Sequence, residues 1–317
     1  MIMKRSIYWC ILLCCSCLFW AACTPEKYEL GAIDVEAANI KQGTSYTIEH
    51  DPANPNIIHL TSLMDSRYTP LWQHPQGRSQ EKKVTLNMAF PGTYDVVFGV
   101  QTRGGIVYGD TATFEVENFY AGFVDNELWT FLSGGVDQEK IWYLDLDAQG
   151  SSKYFLGPMY FYGTADSWAT VTEGKTVEGD SWNWKPEYKS NTWLMAAGDY
   201  GTMTFSLKGG ANVVVDHKML ANRGLQRGTY MLDTDNYTMR MNGAMPLHNR
   251  ERDTHVVDWG DIRIMSLTED YMQLGVLRDK ALSGEDPAYL VYNFVSKAYY
   301  ENALQAQRNA SARRGNP

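Results

Sequence analysis

The sequence predicts an all-β protein built from two β-sandwich domains. Short segments that alternate apolar and polar residues recur along most of the chain, and turn residues separate them. Over residues 28 to 117, no long segment with helical periodicity interrupts this pattern. The chain has 317 residues, which exceeds the usual size of one domain, and the pattern changes character near its first third.

The composition indicates a globular protein with a binding role. Hydrophobic residues make up 44% of the chain and charged residues 21%, which excludes a disordered protein. The net charge of −9 argues against a nucleic-acid partner, because phosphate binding requires a basic face. Ten Trp and twenty Tyr exceed what packing alone usually requires, so some aromatic rings are expected to meet a ligand.

The first residues have the features of an export signal. A basic pair, Lys4 and Arg5, precedes an apolar stretch over residues 7 to 20 that is too short to span a bilayer. All five cysteines lie within the first 23 residues, and the small pair Ala21 and Ala22 precedes Cys23. This arrangement resembles a lipoprotein signal peptide, which implies cleavage after residue 22, lipidation of Cys23 and a tether over residues 23 to 27. Two alternatives stay open: Cys17 as the anchor, or an ordinary secretory signal.

The residues after Cys23 suggest a location. Residues 24 to 29 are polar and acidic, and they resemble the short export signal that gut Bacteroidetes use for surface lipoproteins. The resemblance implies attachment to the membrane through the lipid anchor, on the outer face of the outer membrane.

Residues 28 to 117 are predicted to form the first sandwich. The strongest segment begins with Pro91-Gly92-Thr93-Tyr94 and continues to Val100, with Tyr94, Val96, Phe98 and Val100 on one strand face. It resembles the Pro-Gly-x-Tyr-x-Val signature of PKD and related immunoglobulin-like domains, and Trp72 then matches the buried tryptophan of such sandwiches. The turn after Trp72 departs from the PKD pattern, so the prediction is a PKD/Ig-like domain, which implies a spacer.

Residues 125 to 298 are predicted to form a larger, jelly-roll-like sandwich. The connecting residues 117 to 122 are too apolar for a free linker, so the two domains are expected to touch. Alternating segments occur at residues 201–207, 211–216, 228–232, 261–267, 271–276 and 289–295. Together with Leu132-Ser133-Gly134-Gly135 and Gly198-Asp199-Tyr200-Gly201, they resemble a domain of Bacteroidetes lipoproteins from polysaccharide-utilisation systems. The resemblance implies a partner, a Sus-type outer-membrane transporter, and a polysaccharide or oligosaccharide ligand. The polar residues 299 to 317 are expected to be a poorly ordered tail.

A cluster of tryptophans in polar, loop-like sequence is the best candidate site. Exposed indole costs hydrophobic free energy unless a ligand covers it, and sugar rings pack flat on aromatic faces. The candidate aromatic residues are Trp168, Trp182, Trp184, Tyr188 and Trp193, and the candidate hydrogen-bonding residues are Asp180, Asn183 and Glu187. The alternative is that these rings cap a long loop onto the sandwich. Trp129 and Trp142 lie in apolar strand patterns and are assigned to the core.

The acidic motifs and the absence of catalytic motifs limit which metal sites and reactions the sequence can support. Asp145-Leu146-Asp147 and the turn from Asp233 to Asn236 have the alternate oxygens that suit Ca²⁺, but Asx turns explain them without a metal, and no cofactor is predicted. No zinc-ligand spacing, nucleophile elbow, phosphate loop or dinucleotide fingerprint is present in the sequence.

Three functions follow from these observations. The leading one is a non-catalytic surface lipoprotein that binds glycan for a Sus-type uptake system. The second is a structural accessory that docks on such a transporter and handles peptides or other ligands. The third is an envelope glycoside hydrolase, which would need only two suitably spaced carboxylates.

Overall fold

The computed structural model describes residues 31–164, 176–177 and 183–314, and the fold is all-β as predicted. The predictions for the export signal and Cys23, and those for Trp168, Asp180 and Trp182, lie outside the described residues. No helix in the described part of the chain is both long enough and apolar enough to cross a membrane.

The N-terminal part is a two-sheet sandwich. One sheet has the order β1-β2-β5 and the other β4-β3-β6-β7. The strands are β1 Tyr46–His50, β2 Ile57–Ser62, β3 Thr69–His74, β4 Gly77–Ser79, β5 Lys83–Asn87, β6 Gly92–Thr102 and β7 Gly105–Val116. The predicted apolar face of β6 is confirmed, because Val96, Phe98 and Val100 are fully buried while Tyr94 is half-buried.

Trp72 lies at the centre of this sandwich. Its ring packs 4.3 Å from that of Phe98 and 5.8 Å from that of Tyr46, centroid to centroid. Its Nε1 donates a hydrogen bond to the carbonyl of Glu81 at 2.9 Å, so the one polar atom of the ring is satisfied. The buried role predicted for Trp72 is therefore confirmed.

The C-terminal part is dominated by one large antiparallel sheet. Its order is β10-β11-β9-β18-β17-β16-β15-β14-β13-β12-β8, and β18 also pairs with β8. The strands are β8 Glu139–Leu144, β9 Met159–Tyr162, β10 Thr176–Val177, β11 Asn183–Trp184, β12 Gly201–Ser206, β13 Asn212–His217, β14 Gly224–Asp233, β15 Thr238–Asn242, β16 Asp261–Leu267, β17 Tyr271–Leu277 and β18 Tyr289–Ser296.

The pairing of β18 with β8 rolls this sheet onto itself. The second half of β18 pairs with β8 through Phe294 opposite Leu144, and the first half pairs with β9. Consecutive strands from β12 to β18 are hydrogen-bonded neighbours. The predicted jelly roll would have two sheets packed face to face, whereas the structure has one closed sheet with up-and-down strand order. Leu290, Tyr292 and Phe294 point inward and are buried in the common core.

A short helix, α1 (Glu127–Ser133), packs against this core. Asn126 caps it by accepting a hydrogen bond from the Leu128 amide at 2.9 Å, and Gly134 ends it in the left-handed region at φ 87°. Trp129 is buried, as predicted, but on this helix rather than on a strand. Trp142 of β8 is also buried, and its Nε1 donates to the carbonyl of Leu132, which ties α1 to the sheet.

The two parts of the chain touch, as the apolar connection predicted. Phe90 of the sandwich lies 5.4 Å from Phe119 of the connection and 6.3 Å from Trp129 of α1, between ring centroids. The Tyr120 amide donates to the carbonyl of Ala89. Arg78 and Asp258 add a weak ion pair at 3.8 Å between the two parts.

The C-terminal end differs from the prediction of a poorly ordered tail. After a short helix α2 (Lys280–Ser283), the last element of the described chain is helix α3, Lys297–Arg314. The helix contains five Ala, three Arg and two Gln, all strong helix formers, and a prediction made from polarity alone overlooks this propensity. Tyr300 anchors the first turn by packing 5.1 Å from Tyr143 of β8.

Candidate functional site

The candidate site is an aromatic stack at the edge of the closed sheet, formed by Phe161, Trp184 and Trp193. Trp184 lies opposite Phe161 in the pairing of β11 with β9, and their rings are 5.7 Å apart with planes 8° from parallel. Trp193 continues the stack 5.9 Å from Trp184, with planes 27° apart. Phe161 is buried, Trp184 is half-buried and Trp193 is 68% exposed, so the stack runs from the core into solvent.

The loop that carries Trp193 is held at both ends. Leu194 and Met195, which follow Trp193 directly, are buried in the core. Before it, the Tyr188 amide donates to the carbonyl of Leu156, and the Tyr188 hydroxyl donates to the carbonyl of Met195 at 2.8 Å. The exposed indole is therefore presented by a fixed backbone, which lowers the entropic cost of binding a ligand.

The other predicted site residues within the described chain differ in their exposure. Tyr188 is buried and Asn183 is 1% exposed, with its Oδ1 accepting a hydrogen bond from the Gly163 amide at 3.0 Å. Tyr188 holds the Trp193 loop, and Asn183 joins β11 to the end of β9, so neither side chain faces solvent. Glu187 is exposed, and its backbone carbonyl accepts a hydrogen bond from Asn191. Among the described candidates, Trp184 and Trp193 are thus brought together, and Glu187 is available at the surface.

Two arginines beside the stack were missed by sequence reasoning. The guanidinium carbons of Arg252 and Arg278 lie 5.3 Å and 5.9 Å from the centroid of Phe161. Arg252 donates to the carbonyl of Leu194 at 2.9 Å, so it also supports the Trp193 loop. Burial, followed by the nearby charge of Arg252, lowers the pKa of Arg278. Both arginines come from segments distant in sequence, so only the closed topology could have revealed them.

Phe161 was also missed, although a signal was present. It lies in Met159–Tyr162, where three of four residues are aromatic. Such a run is typical of a buried strand, and all four residues do pack in apolar clusters on the two faces of the sheet. Three consecutive aromatic residues are more than a buried strand requires, and this was the signal for a binding role.

The carboxylates of the two acidic turns accept hydrogen bonds from backbone amides. Oδ1 of Asp233 accepts hydrogen bonds from the amides of Asp235 and Asn236, which is the arrangement of an Asx turn. Asp147 accepts hydrogen bonds from the amides of Gln149 and Ser151, and its Oδ2 lies 2.6 Å from Nζ of Lys153. Within the described ranges, no group of three or more His, Cys, Asp or Glu side chains is placed to hold a metal ion.

Comparison of the chain with models of known protein families finds no match, and comparison with curated proteins finds no significant match.

Proposed function

We propose that this chain is a non-catalytic surface lipoprotein that binds glycan. The observation that carries the proposal is the solvent-facing indole of Trp193, stacked on Trp184 and fixed by a hydrogen-bonded loop. An exposed aromatic face of this kind is stabilised when apolar C–H groups of a ligand cover it, and pyranose rings offer such groups on one face. Glu187 at the surface supplies carboxylate oxygens that can accept hydrogen bonds from sugar hydroxyls.

The proposal includes a location and a partner. The sequence of the export signal supports an anchor at Cys23 in the outer membrane, facing the cell exterior. The resemblance to lipoproteins of polysaccharide-utilisation systems supports a Sus-type transporter as the protein partner. Mass spectrometry of the mature N-terminus tests the anchor, since the proposal requires a diacylated or triacylated Cys23.

Replacing Trp193 by Ala is expected to weaken glycan binding about tenfold, the effect of losing roughly 1.4 kcal/mol of stacking and buried apolar surface. The measurement is affinity electrophoresis of the soluble protein through gels that contain a β-glucan, a xylan, a mannan, an α-glucan or polygalacturonate. Trp193→Phe keeps an aromatic face and should retain most of the binding.

Tyr237→Ala is the matched control, because Tyr237 is another exposed aromatic residue, 51% accessible, in the turn between β14 and β15. It should migrate like the wild type in every gel. The proposal fails if none of the polysaccharides retards the wild-type protein. Co-purification with a transporter without any such retardation would instead support the accessory function, in which Trp193 packs against the partner.

A further inference from the structure

A second surface lies on the opposite face of the strand pair that carries the aromatic stack. Side chains alternate along a strand, so Tyr160 and Lys185, the neighbours of Phe161 and Trp184, point to the outer face of the closed sheet. Nζ of Lys185 lies 4.6 Å from the centroid of the Tyr160 ring. These two side chains border a groove of about 450 Å³ that also contacts β16, β17 and β18. This volume is within the range of small-molecule sites, about 300 to 1,000 Å³.

The floor of this groove is a row of polar side chains across three strands. Ser266 of β16 lies opposite Gln273 of β17, and Gln273 lies opposite Asn293 of β18. Residues directly opposite each other in an antiparallel sheet share a face. The row depends on an irregularity in β16, because the register shifts between Ile264 and Ser266. Without this bulge, strict alternation from the inward-facing Ile264 would direct Ser266 into the core, and bulges often redirect side chains beside functional sites.

Hydrogen bonds hold the side chains of this row in place, and the row still offers hydrogen-bonding groups to a ligand. Asn293 donates from Nδ2 to the carbonyl of Gly157 at 2.7 Å and accepts at Oδ1 from Nε2 of Gln273 at 2.8 Å. These bonds fix the orientation of the Gln273 amide, whose oxygen Oε1 is of a type that can accept a hydrogen bond from a ligand. Ser266 adds a hydroxyl that can both donate and accept.

The wall of the groove is a stacked pair of tyrosines. The rings of Tyr154 and Tyr271 are 4.4 Å apart with planes 20° from parallel, and Tyr154 is 46% exposed. Tyr299 of α3 and Phe155 contact Tyr154 edge-on at 5.6 Å and 4.8 Å between ring centroids. The exposed ring therefore has fixed neighbours and is presented to solvent in a defined orientation.

We propose that this groove is a second carbohydrate site, which binds a neutral segment of the same polysaccharide. An aromatic wall beside a row of hydroxyl and amide groups suits a pyranose ring, whose faces are apolar and whose rim carries hydroxyls. Among the described residues that line the groove, Lys185 is the only charged one, and its ammonium lies over the Tyr160 ring. The other polar side chains of the lining are uncharged hydroxyls and amides, which favours a neutral ligand. The choice of carbohydrate as the ligand class rests on the proposed function, whereas the residues are separate from the Trp193 stack.

Two sites on opposite faces of one strand pair would make the protein bivalent. A polysaccharide offers many identical segments, so binding at one site raises the effective concentration of ligand at the other. Bivalent binding predicts tighter retention on long polymers than on short oligosaccharides of the same sugar.

The test compares Tyr154→Ala with Trp193→Ala on the polysaccharide that retards the wild-type protein. Each single variant should bind the polymer about tenfold more weakly, and the double variant should lose retention altogether. Calorimetry with a short oligosaccharide of the same sugar should give two sites in the wild type and one in each single variant. Tyr154→Phe keeps the ring and is the matched control, and Gln273→Ala probes the floor without removing an aromatic contact.

The outcomes separate the two proposals. If the wild type binds one oligosaccharide and neither Tyr154→Ala nor Gln273→Ala changes retention, the groove is not a carbohydrate site, while the role of Trp193 stands. If the groove variants lose binding and Trp193→Ala does not, the groove stands and the Trp193 stack is excluded as the site. Thermal melting of each variant identifies any loss that comes from unfolding.

Discussion

Replacing Asp145 by Ala is expected to lower the free energy of unfolding by about 4 kcal/mol, because it leaves several donors without their charged acceptor. Asp145 is only 1% exposed, and its carboxylate accepts hydrogen bonds from three consecutive backbone amides. The nitrogen-to-oxygen distances are 2.5 Å for Lys153, 3.1 Å for Tyr154 and 2.7 Å for Phe155. Burial raises the pKa of Asp145, although these three amides and the Lys153 ammonium act in the opposite direction.

The same substitution should weaken binding in the groove, since the three amides belong to the loop that carries Tyr154. Urea unfolding, followed by circular dichroism, measures the stability change, and a lower midpoint with an unchanged slope would indicate a loss of native-state stability. Asp233→Ala is the matched control. Asp233 also accepts two backbone amides, but at an exposed turn, where water replaces it as acceptor. A change of about 1 kcal/mol or less is expected there. Equal effects of the two substitutions would contradict the role given to Asp145.

The sequence predicted burial better than it predicted strand partners. The alternation from Tyr94 to Val100 identifies a buried face because a strand has a period of two, whatever its neighbours are. The same alternation in β12 to β18 does not say whether the sheet stays open, splits or closes. Closure depends on the pairing of β18 with β8, whose residues are about 150 positions apart in the chain. Local patterns carry no information about such a pairing.

The candidate site could be predicted only in part for a related reason. Tryptophans in polar sequence correctly marked Trp193 as exposed, and the same reasoning placed Tyr188 on the surface although its hydroxyl is tied to the carbonyl of Met195 in the interior. Tyr and Trp can serve either as exposed binding residues or as buried structural residues, and only the burial seen in the structure distinguishes the two roles. The groove was missed because its floor requires a β-bulge, and a bulge shifts Ser266 out of the alternation that sequence reasoning relies on.

The stability of the protein is expected to fall steeply between pH 6.5 and pH 4, and His217 is a principal cause. His217, the last residue of β13, is 3% exposed, and its Nε2 has no hydrogen-bond partner within the described chain. Burial, followed by the neighbouring charge of His248, lowers the pKa of His217 to about 4. Burial also lowers the pKa of His74, on β3, to about 4.

The sign follows from where the protons bind. Between pH 6.5 and pH 4, the unfolded chain protonates His217 at its ordinary pKa, while the folded chain keeps the ring neutral. Acid therefore favours the unfolded state, and the stability that is fully present above pH 6.5 is lost as the pH falls. The slope is about 1.4 kcal/mol per pH unit for each such group, which corresponds to about 3 kcal/mol for His217 across the whole interval.

The charged groups near His217 do not offset this loss, and hydrogen bonding with Gln226 and Met245 raises the pKa of His217 by less than burial lowers it. The His248 ring lies 5.7 Å away, between centroids, and Arg223 adds a further positive charge that disfavours protonation of His217. Asp253 is the nearby carboxylate, but it is already engaged, because it lies 3.0 Å from Nε2 of His248 and 2.9 Å from a guanidinium nitrogen of Arg223. Burial alone would raise the pKa of Asp253, yet the hydrogen bonds from His248 and Arg223 lower it.

Urea unfolding at pH 7.5, 6.5, 5.5 and 4.5 tests this expectation, with His217→Gln beside the wild type. The free energy of unfolding should fall with decreasing pH in both proteins. The slope should be about 1.4 kcal/mol per pH unit smaller in the variant, because it has one titrating group fewer. His50→Gln is the control for the same replacement of an exposed imidazole, on β1. If the wild type and His217→Gln have the same slope, the folded protein protonates His217 as readily as the unfolded chain does, and the buried neutral imidazole is excluded as a source of acid sensitivity.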